Sequence, residues 1–204
     1  DKILTGFDDD TRMHLQQQME EQGFHFHYLS NVQQVEKTGD GAFRVHLIPS
    51  KEGGPDASVI DCDLVMGATG RKPKVDGLGL EKVGVAIDAR TKEIVVDANG
   101  KTSVPSIYSV GDCTSALKLT PVALEQGHAF ADTFYGGKHR EAELENVATA
   151  VFSNPNLGTV GLTEAQAVAK YGRVKVYTST YTPLKGRVSG STAKDFMKML
   201  VDEA

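Results

Sequence analysis

Apolar and polar positions follow two different periods along the 204 residues. Asp8-Asp9-Asp10 offers N-cap choices for a helix carrying Met13, Leu15 and Met19 and stopping at Gly23. Period-two alternation predicts strands at residues 24–28 and 43–48. The turn sequence Glu52-Gly53-Gly54-Pro55-Asp56 leads to a third at 59–62. Residues 64–68 form a continuous apolar run, the pattern of a strand buried on both faces, and end abruptly at Thr69-Gly70-Arg71-Lys72-Pro73.

A looser stretch with Gly77, Gly79 and Gly84 precedes a predicted strand at 94–97 and an Asn99-Gly100 turn. The next predicted strand, 107–110, runs straight into Gly111-Asp112. A helix follows, with Thr120 as its expected N-cap and Pro121 at the first helical position, where a missing N–H is harmless. Val122, Leu124, Ala129, Phe130 and Phe134 give it apolar surface, and Gly136-Gly137 ends it. The polar stretch 138–146 reads as a boundary. Beyond it, 148–153 is strand-like, Thr163-Glu164-Ala165-Gln166 has the spacing of a capping box for a helix ending near Gly172, and 174–177 and 197–201 are predicted strands. The last of these runs nearly to Ala204, with its sheet unfinished.

Composition adds exclusions. Hydrophobic residues make up 40% and charged residues 24%, as in ordinary globular proteins. A net charge of -5 argues against a nucleic-acid partner, which would call for a basic stripe. No apolar run reaches the roughly 18–20 residues needed to cross a bilayer. Asp1-Lys2-Ile3-Leu4-Thr5-Gly6 lacks the features of a signal peptide and has no initial Met, so the chain is expected to start after processing or inside a longer protein. Cys62 and Cys113 form no C-x-x-C or C-x-x-x-x-C pair. Two scattered thiols point to a reducing compartment, the cytoplasm or an organelle, and each is expected to be a small buried apolar residue.

The candidate chemistry gathers where a strand ends in Gly111-Asp112 and a helix begins at Leu119-Thr120-Pro121. Glycine after a strand allows close approach to the backbone, and the aspartate can accept hydrogen bonds from ligand hydroxyls. The free N–H groups and positive dipole end of the helix suit negative charge. Together they suit a ligand with a polyol chain and an electron-accepting ring. The plain alternative is a strand–turn–helix connection with ordinary capping.

These residues carry a more specific resemblance. Ser109-Val110-Gly111-Asp112 followed by Leu119-Thr120-Pro121-Val122-Ala123 resembles the second FAD-contact motif of the pyridine nucleotide–disulfide oxidoreductases. Ala68-Thr69-Gly70-Arg71-Lys72-Pro73 resembles that family's A-[TI]-G-R-x-P crossing from the NADPH domain back to the central domain. Val151-Phe152-Ser153-Asn154-Pro155, Gly158-Thr159-Val160-Gly161-Leu162-Thr163-Glu164 and Tyr181-Thr182-Pro183-Leu184 resemble the opening of its interface domain. Within the family the matches favour the glutathione reductase branch over dihydrolipoamide dehydrogenase.

The resemblance implies an α/β chain: part of a Rossmann-like FAD/NAD(P)-binding fold, then the start of an α+β dimerisation domain. The implied boundaries are 1–73 for the end of an NADPH-binding domain, 74–145 for the central FAD-binding segment and 146–204 for an incomplete interface domain. It implies that Asp112 holds the flavin ribityl hydroxyls, with Gly111 giving close approach. Leu119, Thr120 and Pro121 would face the flavin pyrimidine edge. Gly70 and Arg71 would line the NADPH site, and the backbone at Lys118 would approach the nicotinamide. The implied reaction runs from NADPH through FAD and a cysteine pair to a disulfide, with glutathione disulfide as substrate and a homodimer as the assembly.

Departures limit what carries over. The family's first and second glycine motifs, its C-x-x-x-x-C and its C-terminal His-Pro with Glu are absent from these 204 residues, so no catalytic residue is assigned here. Gly77-Leu78-Gly79 lacks the strand-to-helix context of a dinucleotide motif. Thr5 stands where related reductases carry an arginine for the NADPH 2'-phosphate, and a neutral Thr cannot form a bidentate charged clamp. His128 stands where some glutathione reductases bind a substrate carboxylate; its simpler reading is a polar helix-surface residue. His25 and His27 share a strand face but lack a third metal ligand, so no metal is assigned. Residues 141–145 read as a solvated linker, and Tyr171 and Tyr177 as core or interface residues. The competing functions are trypanothione reductase, dihydrolipoamide dehydrogenase and, from another class, a truncated non-catalytic binding module.

Overall fold

A computed structural model describes residues 2–203; Asp1 and Ala204, at the outer edges of the first and last expected segments, lie outside the described residues. The chain divides into two compact units, one built from 1–67 together with 150–204 and the other from 68–149.

In the first unit, helix α1 (Asp9–Glu21) starts where expected, because the Asp8 side chain accepts the Asp10 N–H. Strands β1 (Ser30–Lys37), β2 (Phe43–Pro49) and β3 (Ser58–Cys62) form an antiparallel meander in the order β1-β2-β3. Strand β1 escapes the alternation rule for a definite reason. Its register shifts between Val32 and Gln34, so Val32 faces Leu47 while Val35 faces Val45. Val45 and Leu47 are buried and two apart, and the bulge sets two valines three apart opposite them, although Val32 and Val35 stay exposed.

From the boundary at 149 onward the chain adds a small two-stranded sheet of β4 (Thr149–Val151) and β5 (Leu157–Thr159) and helix α3 (Glu164–Tyr171). Strand β6 (Val174–Tyr181), helix α4 (Leu184–Ser189) and strand β7 (Asp195–Asp202) follow, with β6 and β7 paired antiparallel from Val174↔Asp202 to Tyr181↔Asp195. The capping box of α3 forms in full. Thr163 accepts the Gln166 N–H and Gln166 accepts the Thr163 N–H, while Gly172 closes the other end. Gln18 of α1, only 3% exposed, accepts the Lys194 N–H at 2.7 Å, so a buried amide ties α1 to the start of β7.

The second unit has little regular structure and one clear core. Val75, Leu80, Val85 and Ile94 are buried together, with Ile87, Val96, Val104, Ile107 and Cys113 packed against them. Helix α2 (Thr120–Phe134) supplies buried Val122 and Ala129. Gly100 sits in the Asn99-Gly100 turn at φ +75°, where a Cβ would lie 2.8 Å from the Ser109 carbonyl oxygen. No other residue fits that turn without strain.

Several predicted strands are absent as such. Residues 24–28 are extended or turning without ladder partners, although Phe26 and Tyr28 stack at 5.7 Å. Residues 64–68 form no strand, and Leu64 and Met66 are 79% and 83% exposed, not buried on both faces. At 94–97 and 107–110 only isolated bridges form, Ile94 with Ile87 and Thr114, and Tyr108 with Lys101. Periodicity reports a side chain's preference for a pleat, whereas a strand also needs a neighbour to take its backbone hydrogen bonds. Among the described residues, 24–28 and 64–68 have no ladder partner, and 94–97 and 107–110 have neighbours for single bridges but not for a continuous ladder. The start of α2 is corrected by one residue: Leu119 is the N-cap, Thr120 is already helical, and no side chain caps the helix.

Candidate functional site

The site is built around a short 3-10 helix, Gly111–Cys113, entered from extended Val110. Gly111 is buried at φ +74°, and a Cβ there would lie 3.1 Å from the Ala123 Cβ of α2. Its two peptide groups are both held. The Gly111 N–H donates to Gln126 Oε1 at 2.8 Å. The Gly111 carbonyl accepts from the Thr114 N–H at 3.0 Å and from Thr114 Oγ1 at 2.8 Å, and Thr114 is fully buried. The Cys113 carbonyl accepts from the Ile94 N–H at 2.8 Å, fastening the turn to the core. Tyr108, just upstream, packs edge-on against Phe134 at 4.8 Å and tilted against Phe130 at 5.2 Å.

Two kinds of group emerge from this rigid frame. The Asp112 side chain is exposed and has no hydrogen-bond or ion-pair partner among the described residues, leaving its lone pairs for an external donor. Helix α2 begins without a side-chain cap, and Pro121 has no N–H. The Leu119 N–H turns back to the Leu117 carbonyl at 2.9 Å, so the donors of this end without a partner among the described residues are those of Thr120 and Val122. A helix end so left carries partial positive charge. The arrangement can therefore hold a ligand that offers hydroxyls at one point and an electron-rich edge at another.

The remaining sequence-predicted residues fall into two groups. Lys118 stands just before α2 with its Nζ 3.0 Å from Glu93 Oε1. Its hydrogen bond, followed by that of Thr91, holds the Glu93 carboxyl below its ordinary range. This ion pair anchors the connection between the 3-10 helix and α2. Gly70 and Arg71 belong to the same unit, both exposed, with Gly70 at φ +100°. No hydrogen bond or ion pair ties Arg71 to any described residue. Among the described residues, no hydrogen bond or ion pair joins Gly70 or Arg71 to the Gly111–Thr120 cluster.

Residues 1–127 match the family described as pyridine nucleotide-disulphide oxidoreductase, and residues 147–204 match its dimerisation domain. The chain belongs to the pyridine nucleotide–disulphide oxidoreductases. Its fold is accordingly part of the family's Rossmann-like α/β region followed by the start of the α+β dimerisation domain. The chain is 43% identical to a glutathione reductase of Burkholderia cepacia over 201 residues, which are 98% of this chain and 43% of that protein. It is 41% identical to a glutathione reductase of a Nostoc species, covering 99% of this chain and 45% of the relative. A trypanothione reductase of Trypanosoma congolense is 38% identical, over 98% of this chain and 39% of that protein. The chain thus spans less than half the length of these curated relatives.

Thr5 is exposed in a turn, and His128 is exposed on α2. Cys62 and Cys113 are both half-buried free thiols, not fully buried ones; Cys113 Sγ donates to the Val110 carbonyl at 3.3 Å and lies 3.1 Å from Ser109 Oγ. Tyr171 and Tyr177 are 49% and 53% exposed, which rules out a core role in this chain. No group of three metal-ligating side chains occurs among the described residues, and no described helix is long and apolar enough to cross a membrane. Gln126, Thr114 and Glu93 were not singled out from sequence. For Gln126 a signal existed: it falls on the stripe of α2 defined by buried Val122 and Ala129, where an amide needs a partner.

Proposed function

We propose that these residues are part of a flavoprotein disulfide reductase that uses NADPH to reduce glutathione disulfide, acting as a homodimer in thiol redox homeostasis. The observation that carries the reading is the Gly111–Asp112 turn fixed against the uncapped start of α2, in a chain whose family is shown. Segments 1–73, 74–145 and 146–204 are assigned as the end of the NADPH domain, the central FAD segment and the start of the interface domain. The match of 147–204 to the dimerisation domain supports the homodimer.

The residues present fit FAD, since a free carboxylate and free helix N–H donors stand on one rigid frame. Asp112 would hold the ribityl hydroxyls, and Gly111 would admit them close to the backbone. Thr120, with Leu119 and Pro121 shaping the turn, would present N–H groups and dipole to the electron-rich edge of the ring, stabilising negative charge there without rearrangement. Gly70, Arg71 and the backbone at Lys118 are assigned to NADPH. Bound FAD supplies two-electron transfer between the nicotinamide and a cysteine pair that lies outside these residues. The cytoplasm, or a reducing organelle, is the proposed location.

A visible spectrum of the full-length protein, before and after anaerobic NADPH, tests this. A bound flavin that bleaches is expected; a colourless protein that takes up no FAD would sink the reading and favour a non-catalytic module. The relative named trypanothione reductase carries a second reading of the substrate. Turnover on glutathione disulfide, trypanothione disulfide and lipoamide separates the choices, the first being expected to be fastest.

A further inference from the structure

The structure assigns Gln126 as a positioning residue that fixes the direction of Asp112, a role that rests on the FAD reading above. Glycine is the residue most free to rotate about its backbone, so a ligand-holding carboxylate placed directly after one is poorly aimed unless the peptide groups on both sides are held. Here they are. The peptide before Gly111 has its carbonyl taken by Cys113 Sγ and its N–H taken by Gln126 Oε1 at 2.8 Å. The peptide after Gly111 has its carbonyl taken twice by Thr114. Three of these four contacts come from residues of the turn itself. Gln126 alone comes from α2, six residues beyond the helix start at Thr120.

That origin gives Gln126 a consequence the others lack. By bonding the turn to the helix, it fixes the spacing between the carboxylate of Asp112 and the N–H groups of Thr120 and Val122, the two points at which one ligand would be held. The turn also runs close to Ala123 on the same helix face, at i and i+3 with Gln126, since a Cβ placed on Gly111 would lie 3.1 Å from the Ala123 Cβ. The bond requires the amide oxygen toward Gly111, since the N–H can only donate. A carboxylate can replace that acceptor, whereas a thioether of similar length is a poor one.

The test uses the full-length protein, stripped of FAD and titrated with FAD. Gln126→Met is expected to weaken FAD binding about tenfold, the loss of one hydrogen bond to a buried donor. Gln126→Glu is expected to retain binding close to wild type. In an Asp112→Ala background, Gln126→Met should change FAD affinity far less, because the residue acts through Asp112. Should Gln126→Met fail to fold by far-UV circular dichroism, Gln126→Asn, whose amide is one methylene short, carries the same expectation. Wild-type affinity in both acceptor-removed variants would overturn the assignment, as would an equal loss with and without Asp112, which marks a merely structural role. If Asp112→Ala itself leaves FAD affinity unchanged, the site reading falls. If Asp112→Ala weakens binding and Gln126→Met does not, only the positioning role falls.

Discussion

Lys198 Nζ lies 2.8 Å from Asp8 Oδ1, a bond that joins residues 190 apart in sequence within one compact unit. Both side chains are largely removed from solvent, Lys198 at 5% and Asp8 at 11% exposure. The same ammonium reaches Asp10 and Glu164, each at 2.7 Å, while Asp8 also accepts the Glu164 N–H at 2.9 Å. One lysine of β7 therefore gathers the N-termini of α1 and α3, where carboxylates are already favoured by the helix dipoles.

Removing that lysine leaves Asp8 buried without its counter-charge. Lys198→Met in the full-length protein is expected to lose roughly 3 kcal/mol, the low end for breaking a buried pair, because Asp10 and Glu164 are half-exposed. Urea midpoints at matched protein concentration measure this, and a loss below the scatter of surface substitutions would refute it.

The cluster also sets a pH window. Burial pushes the Asp8 carboxyl up, but hydrogen bonds from Lys198 and from the Glu164 and Asp10 N–H groups outweigh it and hold it below its ordinary 3.8. Burial pushes Lys198 down, and bonds to Asp10, Asp8 and Glu164 outweigh that and hold it above its ordinary 10.5. The Asp8 contribution is present above pH 3.8 and is lost as pH falls through its lowered folded value. The Lys198 contribution is present below 10.5 and persists until pH rises past its raised folded value. The stability gap between wild type and Lys198→Met should thus stay flat from about pH 5 to 10 and shrink on the acid side. A gap that widened toward acid would contradict the assignment.

At the candidate site, Gly111→Ala must place a Cβ 3.1 Å from the Ala123 Cβ at φ +74°. Strain of about 1–3 kcal/mol is expected, with loss of bound flavin on purification. A flavin-to-protein absorbance ratio equal to wild type would show that the turn tolerates the change.

Asp112→Ala removes a charged acceptor from the same frame without disturbing its backbone bonds. FAD affinity should fall by about ten- to a hundredfold, the range for a hydrogen bond to a charged group, with thermal stability of the FAD-free protein unchanged. Fluorescence titration of the FAD-free protein checks both the size and the specificity of the effect.

The capping box offers a local control. Thr163→Ala should destabilise by about 1 kcal/mol, while Thr163→Ser should be near neutral because it keeps the oxygen that accepts the Gln166 N–H. Equal destabilisation by both would mean that methyl packing, not capping, is what Thr163 contributes.

The amino-acid sequence by itself determined features whose causes are local. A cap three residues from its partner, as at Thr163 and Gln166, is written within one turn of chain, as is a helix stop at Gly172. Asn99-Gly100, Gly111-Asp112 and Leu119-Thr120-Pro121 were legible for the same reason, since their chemistry lies in consecutive residues. Tertiary structure decided what depends on a distant partner. It placed two valines three apart on one face through a bulge, and left residues 64–68 exposed where their apolar run called for two flanking strands. It brought Gln126 to Gly111 and Lys198 to Asp8, pairings across 15 and 190 positions. Backbone periodicity is a property of neighbours a few residues apart, whereas a ladder bond, a buried acceptor or an ion pair depends on where the fold returns the chain.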